Sequence, residues 1–444
     1  MTSAGHLLAH GVSSRQDLPI PFGYALTGAA VALVVSFLAL GLLWREPRLR
    51  PGTAGWALPA PLARFLDSRG FRLALRLLGL VATAYVGIAA VFGRDDALNP
   101  TAGTVFVLFW VGMPLLSVLA GPVWRVLNPL RSVHRLVAFA LGTPATRGIG
   151  SRYPRRLGYW PAAVTLLAFT WLELIYPENT ELRTLRTAFL FYLAVNVLAA
   201  TYWGARWFSR GDGFEVFSSL LGRMSPLGRR PADGRLVLRD PLSGVAGTPV
   251  APGLFAVLGT LLGSTLYDSF SSSPWWVVHT QELALGRRTI GTLALVATVV
   301  VITALFAGAA ALSAREAELP AARARGEFAH TLVPIAVGYV VAHYWSLLVL
   351  IGQQTVIQLS DPLGNGSNWL GTGGRAIDPT LVSPTFLAVL QVCAVVTGHV
   401  LGVVLAHDRA VRLLPRRKAV VGQLPMLVLM VTYTVVGLTL LFAG

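Results

Sequence analysis

Apolar residues along this chain come in runs of about twenty, the length an α-helix needs to cross the hydrocarbon core of a bilayer. Ten such runs are legible, at about 22–44, 73–92, 104–119, 160–176, 184–203, 254–270, 290–312, 328–362, 384–406 and 424–442. The pattern predicts an all-α, polytopic helical membrane protein of about ten transmembrane helices. Polar stretches between the runs alternate in character. Arg45, Arg48, Arg50, Arg64 and Arg69 follow the first run, and Arg125, Arg131, Arg135, Arg147, Arg152, Arg155 and Arg156 follow the third, whereas GRDDALNP carries paired acids. Arginine-rich loops stay on the cytoplasmic side, so both termini are expected to be extracytoplasmic.

The loops predict structure of their own. Asn128 and Pro129 fit the start of a helix with Leu130, Val133, Val137 and Leu141 on one face. Asp212 and Glu215 fit a capping box ahead of the apolar stripe Phe214, Phe217, Leu221 and Met224. Both read as amphipathic helices lying along the cytoplasmic interface. RLVLR after Asp233 and Gly234 alternates at strand period and predicts a hairpin or strap. The chain then divides into an extracytoplasmic strap over 1–21 and one helical membrane domain over 22–444. That domain carries a cytoplasmic loop over 204–252 and an extracytoplasmic loop over 352–383, rich in Gly, Asn, Ser and Pro and long enough to be functional.

Composition agrees: 54% of residues are hydrophobic and 13% charged, against about 25% charged in a soluble domain. The formal charge of +16 sits mostly in loops between apolar runs, so it reports topology and the lipid bilayer as partner, with no nucleic acid. One cysteine, Cys393, excludes an intramolecular disulfide. The first residues, MTSAGHLLAHG, lack a basic n-region and a full apolar stretch for a secretory signal, and a truncated signal ending near Ala9 is the alternative.

Ionisable groups inside apolar runs cost several kcal/mol to insert, about 2.5–3.5 on translocon scales, and are functional candidates by default. The eighth run carries His330 and His343. At 1.5 Å and 100° per residue they stand about 20 Å apart and on different faces, so they cannot share a ligand. His330 falls at the cytoplasmic interface. His343 shares a polar stripe with Tyr339, Ser346 and Gln353, and Gln391, Glu173, Asp268 and Asp361 approach the same outer level. An outward-opening pocket follows. Each of these groups also has a structural reading as a hydrogen-bonded core residue, as do His399 and His330. His6 and His10 have the i, i+4 spacing of two metal ligands, with a third to come from His343, Asp268 or Glu173 if the strap folds over the outer mouth; a frayed terminus is the alternative.

Several strings spread along the chain carry a family resemblance: HGVSSRQDLPIPFGY, GPVWRVLNPLRSV, YWPAAVTLLAFTWLELIYPEN, GDGFEVFSSLLGRMSP, GSTLYDSF, and HTLVPIAVGYVVAHYWSLL with its trailing SDPLG. In these the chain resembles bacterial cytoplasmic-membrane proteins of the fenitrothion hydrolase group, whose members often carry a signal cleaved before the AHG. The resemblance implies hydrolysis of an apolar aryl phosphorothioate and supplies no catalytic residues.

Three functions are therefore expected as alternatives. In the first, a divalent, zinc-like metal held by His6, His10 and His343 activates water at the outer face, with Asp268 or Glu173 as base or ligand and Tyr339, Ser346, Gln353 and Gln391 facing a small apolar phosphotriester. In the second, a transporter or metal-handling permease stages an ion or small solute through His343, Gln391 and His399. In the third, paired histidines hold haem. Five methionines are too few for a methionine-rich copper relay.

Overall fold

Each apolar run becomes a helix in a computed structural model, which describes residues 15–53, 55–281, 286–415 and 418–443. The long helices are α1 (Phe22–Leu43), α2 (Arg69–Phe92), α3 (Pro100–Ala120), α6 (Leu182–Trp203), α10 (Arg287–Ser313), α11 (Leu332–Gln358), α12 (Pro384–Leu413) and α13 (Leu424–Leu441). These lie in the eight segments long and apolar enough to cross a membrane; α11 is the greater part of its segment, Ala321–Gln358. Two of the ten expected spans fall outside that set, α5 (Trp160–Leu174) and α8 (Leu254–Ser271). Shorter elements are α4 (Pro129–Ala140), α7 (Gly213–Leu221) and α9 (Pro274–Gln281). The fold is an all-α, polytopic helical membrane protein.

The reason α8 is more polar than a lipid-facing helix is its position. It is buried along nearly its whole length, from Leu254 to Ser269, and packs against α5, α10, α11 and α13. A helix surrounded by protein can carry Thr260, Ser264, Thr265 and Asp268, because neighbouring helices satisfy them. Gly259 and Gly263, one turn apart, admit Thr303 and Val299 of α10 so closely that a Cβ at either would collide. Outer helices show the converse pattern: Val31, Val35, Leu38 and Leu42 of α1 face outward and form part of the lipid-facing belt.

α11 and α12 pack backbone to backbone. Gly398 and Gly402 of α12 face the start of α11, where a Cβ on Gly398 would stand 2.7 Å from the Pro334 carbonyl oxygen and one on Gly402 3.0 Å from that of Thr331. Small residues at i, i+4 let two backbones approach where no hydrophobic force between helices exists in lipid. Residues 104–112 within α3 are wound as a π-helix that packs on α11.

Two expected loop elements take the predicted form and one does not. Asn128 caps α4 by accepting from Leu130 N (3.0 Å), and Leu136 and Phe139 project outward while Leu130, His134 and Ala138 are buried. Trp56–Ala57 (β1), Leu227–Arg229 (β2) and Leu236–Leu238 (β3) form a small antiparallel sheet in the order β1-β3-β2. α7, in contrast, is not interfacial: its residues from Gly213 to Leu221 are buried except Ser219. Phe214 sits among Phe109, Trp110, Phe169 and Tyr192, with ring centroids 4.9–6.2 Å away. Its stripe faces aromatic helices instead of headgroups.

The buried start of α7 is held by polar bonds. Asp212 accepts from Phe214 N (3.0 Å), Glu215 N (3.4 Å), Tyr192 Oη (2.6 Å) and Asn128 Nδ2 (2.9 Å). Asp212 is the cap that the sequence predicts, but Glu215 takes a different partner. Both its carboxylate oxygens accept from Arg131 of α4 at 2.6 Å. At the same basic end, Asp408 near the foot of α12 accepts from Arg48 N (2.7 Å) and Leu49 N (3.1 Å), tying the first loop to α12.

At the opposite end the long loop after α11 is ordered by its own bonds. Asp361 accepts from Asn365 N, Gly366 N and Ser367 Oγ at 2.8–3.0 Å. Tyr85 donates to the Leu359 carbonyl at 2.5 Å, linking the loop to α2.

Candidate functional site

α8 and α11 meet through a chain of polar side chains set among apolar ones. His343 Nε2 lies 2.8 Å from Asp268 Oδ2, and its Nδ1 lies 3.1 Å from the Tyr339 hydroxyl. Tyr339 donates to the Thr265 carbonyl (2.6 Å) and lies 2.8 Å from Ser269 Oγ. Tyr344 donates to Asp268 Oδ2 at a longer 3.4 Å. Asp268 and His343 are 5% and 3% exposed, so bulk water solvates neither.

Helical spacing makes this arrangement. Tyr339 and His343 are i, i+4 on α11 and stack with centroids 5.1 Å apart. Thr265, Asp268 and Ser269 fall on one face of α8 by the same rule. From Leu332 to His343 the helix rises about 16 Å, which sets the pair well inside the bundle.

Donor and acceptor counts then locate the hydrogens. A carbonyl cannot donate, so the one hydroxyl hydrogen of Tyr339 is spent on Thr265. The Tyr339 oxygen is therefore the acceptor for Ser269 and for His343, which makes Nδ1 of His343 an N–H. Between His343 Nε2 and Asp268 Oδ2 one proton remains to be placed. On the imidazole it gives an ion pair; on the carboxyl it gives two neutral groups. Counted over these bonds alone, the pair is neutral overall in either arrangement and holds one shared proton, the economical state for two ionisable groups out of water.

Glu173 lies near the far end of α5, with its Oε2 buried and without a hydrogen-bond partner among the described residues, close enough to Asp268 for the two charges to repel. The Glu173 carbonyl accepts from Asn179 Nδ2 (2.6 Å), which fixes the end of the helix.

Of the residues that the sequence singles out, His343, Tyr339 and Asp268 form one network, with Glu173 beside it. Ser346 and Gln391 are buried on α11 and α12. Gln353, expected to face substrate, instead anchors the outer loop: its Nε2 donates to the Asp378 carbonyl (3.2 Å) and its Oε1 accepts from Asp378 N (3.0 Å). Asp361 belongs to the loop turn described above. His399 bonds through Nδ1 to the Val395 carbonyl (2.9 Å), one turn back on its own helix, and faces Tyr433. Ser269, Thr265 and Tyr344 are the members the histidine stripe does not reveal. The string GSTLYDSF held the signal, since its polar positions repeat at i, i+1, i+4 and i+5.

His6 and His10 lie outside the described residues, as does most of the strap over 1–21. Among the described residues no group of three or more His, Cys, Asp and Glu side chains is placed to hold a metal ion. The described residues thus do not by themselves make the expected zinc-like site. No family model, no curated protein and no solved structure matches this chain.

Proposed function

We propose that this integral membrane protein is a proton-coupled permease that exchanges a proton for a cation, with Asp268 and His343 as the shared proton site. The observation that carries the reading is the proton inventory of that pair. A neutral dyad that gives up its proton acquires one negative charge in a low-dielectric interior, and a cation is the ligand that compensates it. Glu173, a second carboxyl within electrostatic reach, raises the demand for a positive ligand. Binding a cation and holding the proton then compete, which is the minimal requirement for obligatory exchange.

The test is proton movement in proteoliposomes loaded with a pH-sensitive dye, under a proton gradient, with a panel of inorganic and organic cations, since a one-for-one exchange of a proton for a monovalent cation carries no net current. Wild-type protein is expected to give a cation-dependent change in lumenal pH with at least one cation, and Asp268→Asn, which keeps the shape but cannot release a proton, is expected to abolish it. No cation-dependent proton movement from well-folded wild-type protein across the panel would remove this reading.

A second reading, the phosphotriester hydrolase implied by the resemblance to the fenitrothion hydrolase group, is favoured by Glu173, whose Oε2 has no hydrogen-bond partner among the described residues and is left to act as general base, since both ring nitrogens of His343 are already bonded. Release of the nitrophenol from fenitrothion by purified protein, without any gradient and lost in Glu173→Gln, separates it from the permease.

A further inference from the structure

At the basic end of the bundle, away from the Asp268–His343 pair, a cavity of about 370 Å³ opens between α4 and the turn after α6. Its walls carry Arg125, Arg131, Arg135 and Arg206, together with His134 and Ser209, and no acidic side chain among the described residues lines it. Four guanidiniums around one cavity repel each other unless an anion occupies it. Arg131 has a carboxylate partner in Glu215, and its guanidinium also lies over the Phe208 ring, 5.0 Å from the centroid. Arg135 is part-buried beside Arg76 and Arg131, and burial together with those two cations pushes its guanidinium below the usual arginine value. Its surroundings add positive charge.

His134 stands behind these arginines, 1% exposed and bonded to the Ala200 backbone, and burial together with Arg131 and Arg135 pushes its imidazole below the usual value. Leu136 and Phe139 on the same helix are 70% and 86% exposed.

We infer that this cavity binds a phosphate group, with Arg125, Arg135 and Arg206 as its charged donors. Arginine forks match phosphate oxygens two at a time, and three guanidiniums satisfy a phosphate diester or monoester without any backbone cradle. Two sources share this chemistry: the headgroup of an anionic phospholipid in the adjoining leaflet, for which a basic pocket between helices is the recurring receptor, and a free phosphate compound from the aqueous side. The outward Leu136 and Phe139 lie where the acyl chains of such a lipid would run.

The experiment is thermal unfolding of the full-length protein in nanodiscs of phosphatidylcholine alone or with phosphatidylglycerol, and separately in phosphatidylcholine with inorganic phosphate. Wild-type protein is expected to gain stability from phosphatidylglycerol or from phosphate. A response to the lipid alone assigns the headgroup, and a response to phosphate assigns the soluble source. Arg125→Gln and Arg135→Gln are expected to weaken the response by about fivefold in apparent affinity each, whereas Arg147→Gln, an exposed arginine outside the cavity, leaves it unchanged. Arg125 is exposed, so Arg125→Gln keeps the test valid even if Arg135→Gln fails to fold. Stabilisation by neither phosphate source overturns the inference. So does a response that Arg147→Gln weakens as much as Arg125→Gln.

Discussion

Arg131 and Glu215 face each other as a two-pronged pair, both contacts at 2.6 Å, with the Glu215 side chain fully buried. The pair clamps the surface helix α4 onto the core helix α7. Removing one member strands the other charge out of water, which costs about 3–5 kcal/mol, while replacing both with apolar residues of similar size is often neutral. Glu215→Ala is therefore expected to lower the unfolding midpoint strongly, and Arg131→Met with Glu215→Leu to recover most of the loss. Melting curves of the single and double variants in one detergent check it; equal losses in both would refute the clamp.

A stability profile against pH should carry the mark of Asp212. Burial, with Glu215 nearby, pushes its carboxyl up to about 7, against about 4 in an unfolded chain. The folded state then holds a proton that the unfolded state has lost between those two values. Stability from this group is complete below about pH 4, declines as pH rises toward 7, and is gone above it. Asp212→Asn is expected to flatten that decline, as read from unfolding midpoints across the range.

Asp268 and His343 predict a graded response. Asp268→Ala leaves the imidazole facing a void and is expected to destabilise the bundle by about 3 kcal/mol or more. Asp268→Asn keeps an oxygen opposite Nε2 and is expected to cost less than half as much. Midpoints of the two variants rank the effects, and a reversed order would refute a hydrogen-bonded role for Asp268 opposite His343.

The α11–α12 contact tolerates no side chain at Gly338, where a Cβ would collide with the Ala394 carbonyl oxygen. Backbone cannot yield as a flexible side chain does, so Gly338→Leu is expected to destabilise by about 1–3 kcal/mol or more. Gly28 on α1 has nothing within 4 Å of such an atom, and Gly28→Ala is expected to be neutral or stabilising by up to about 1 kcal/mol. The pair of melts forms its own control.

The limits of reading this chain from its residues follow a physical line. Lipid-facing helices were legible because apolar run length alone defines them, and the cap at Asn128 because one side chain and one N–H suffice. α7 was misplaced because amphipathicity shows that a face is apolar, not whether lipid or protein covers it. Phe214 and Phe217 satisfy either. His343 was found by helical phase with Tyr339, and its partner Asp268 was among several carboxylates at one depth; only tertiary packing chooses between Asp268 and Asp361. Gln353 shares the stripe's phase but lies near the outer end of α11, where its amide bonds the Asp378 backbone of the loop.

The bonds from Arg48 N and Leu49 N to Asp408 span about 360 residues of sequence. During synthesis, α1 and the loop behind it are made first, yet the residues that fasten them emerge only as the chain nears its end. Until then α1 meets lipid on faces that α12 and α13 later cover. The register of the first loop is thus settled last, and a ribosome stalled before α12 releases a bundle whose opening helix has no assigned place, the kind of intermediate on which membrane proteases act.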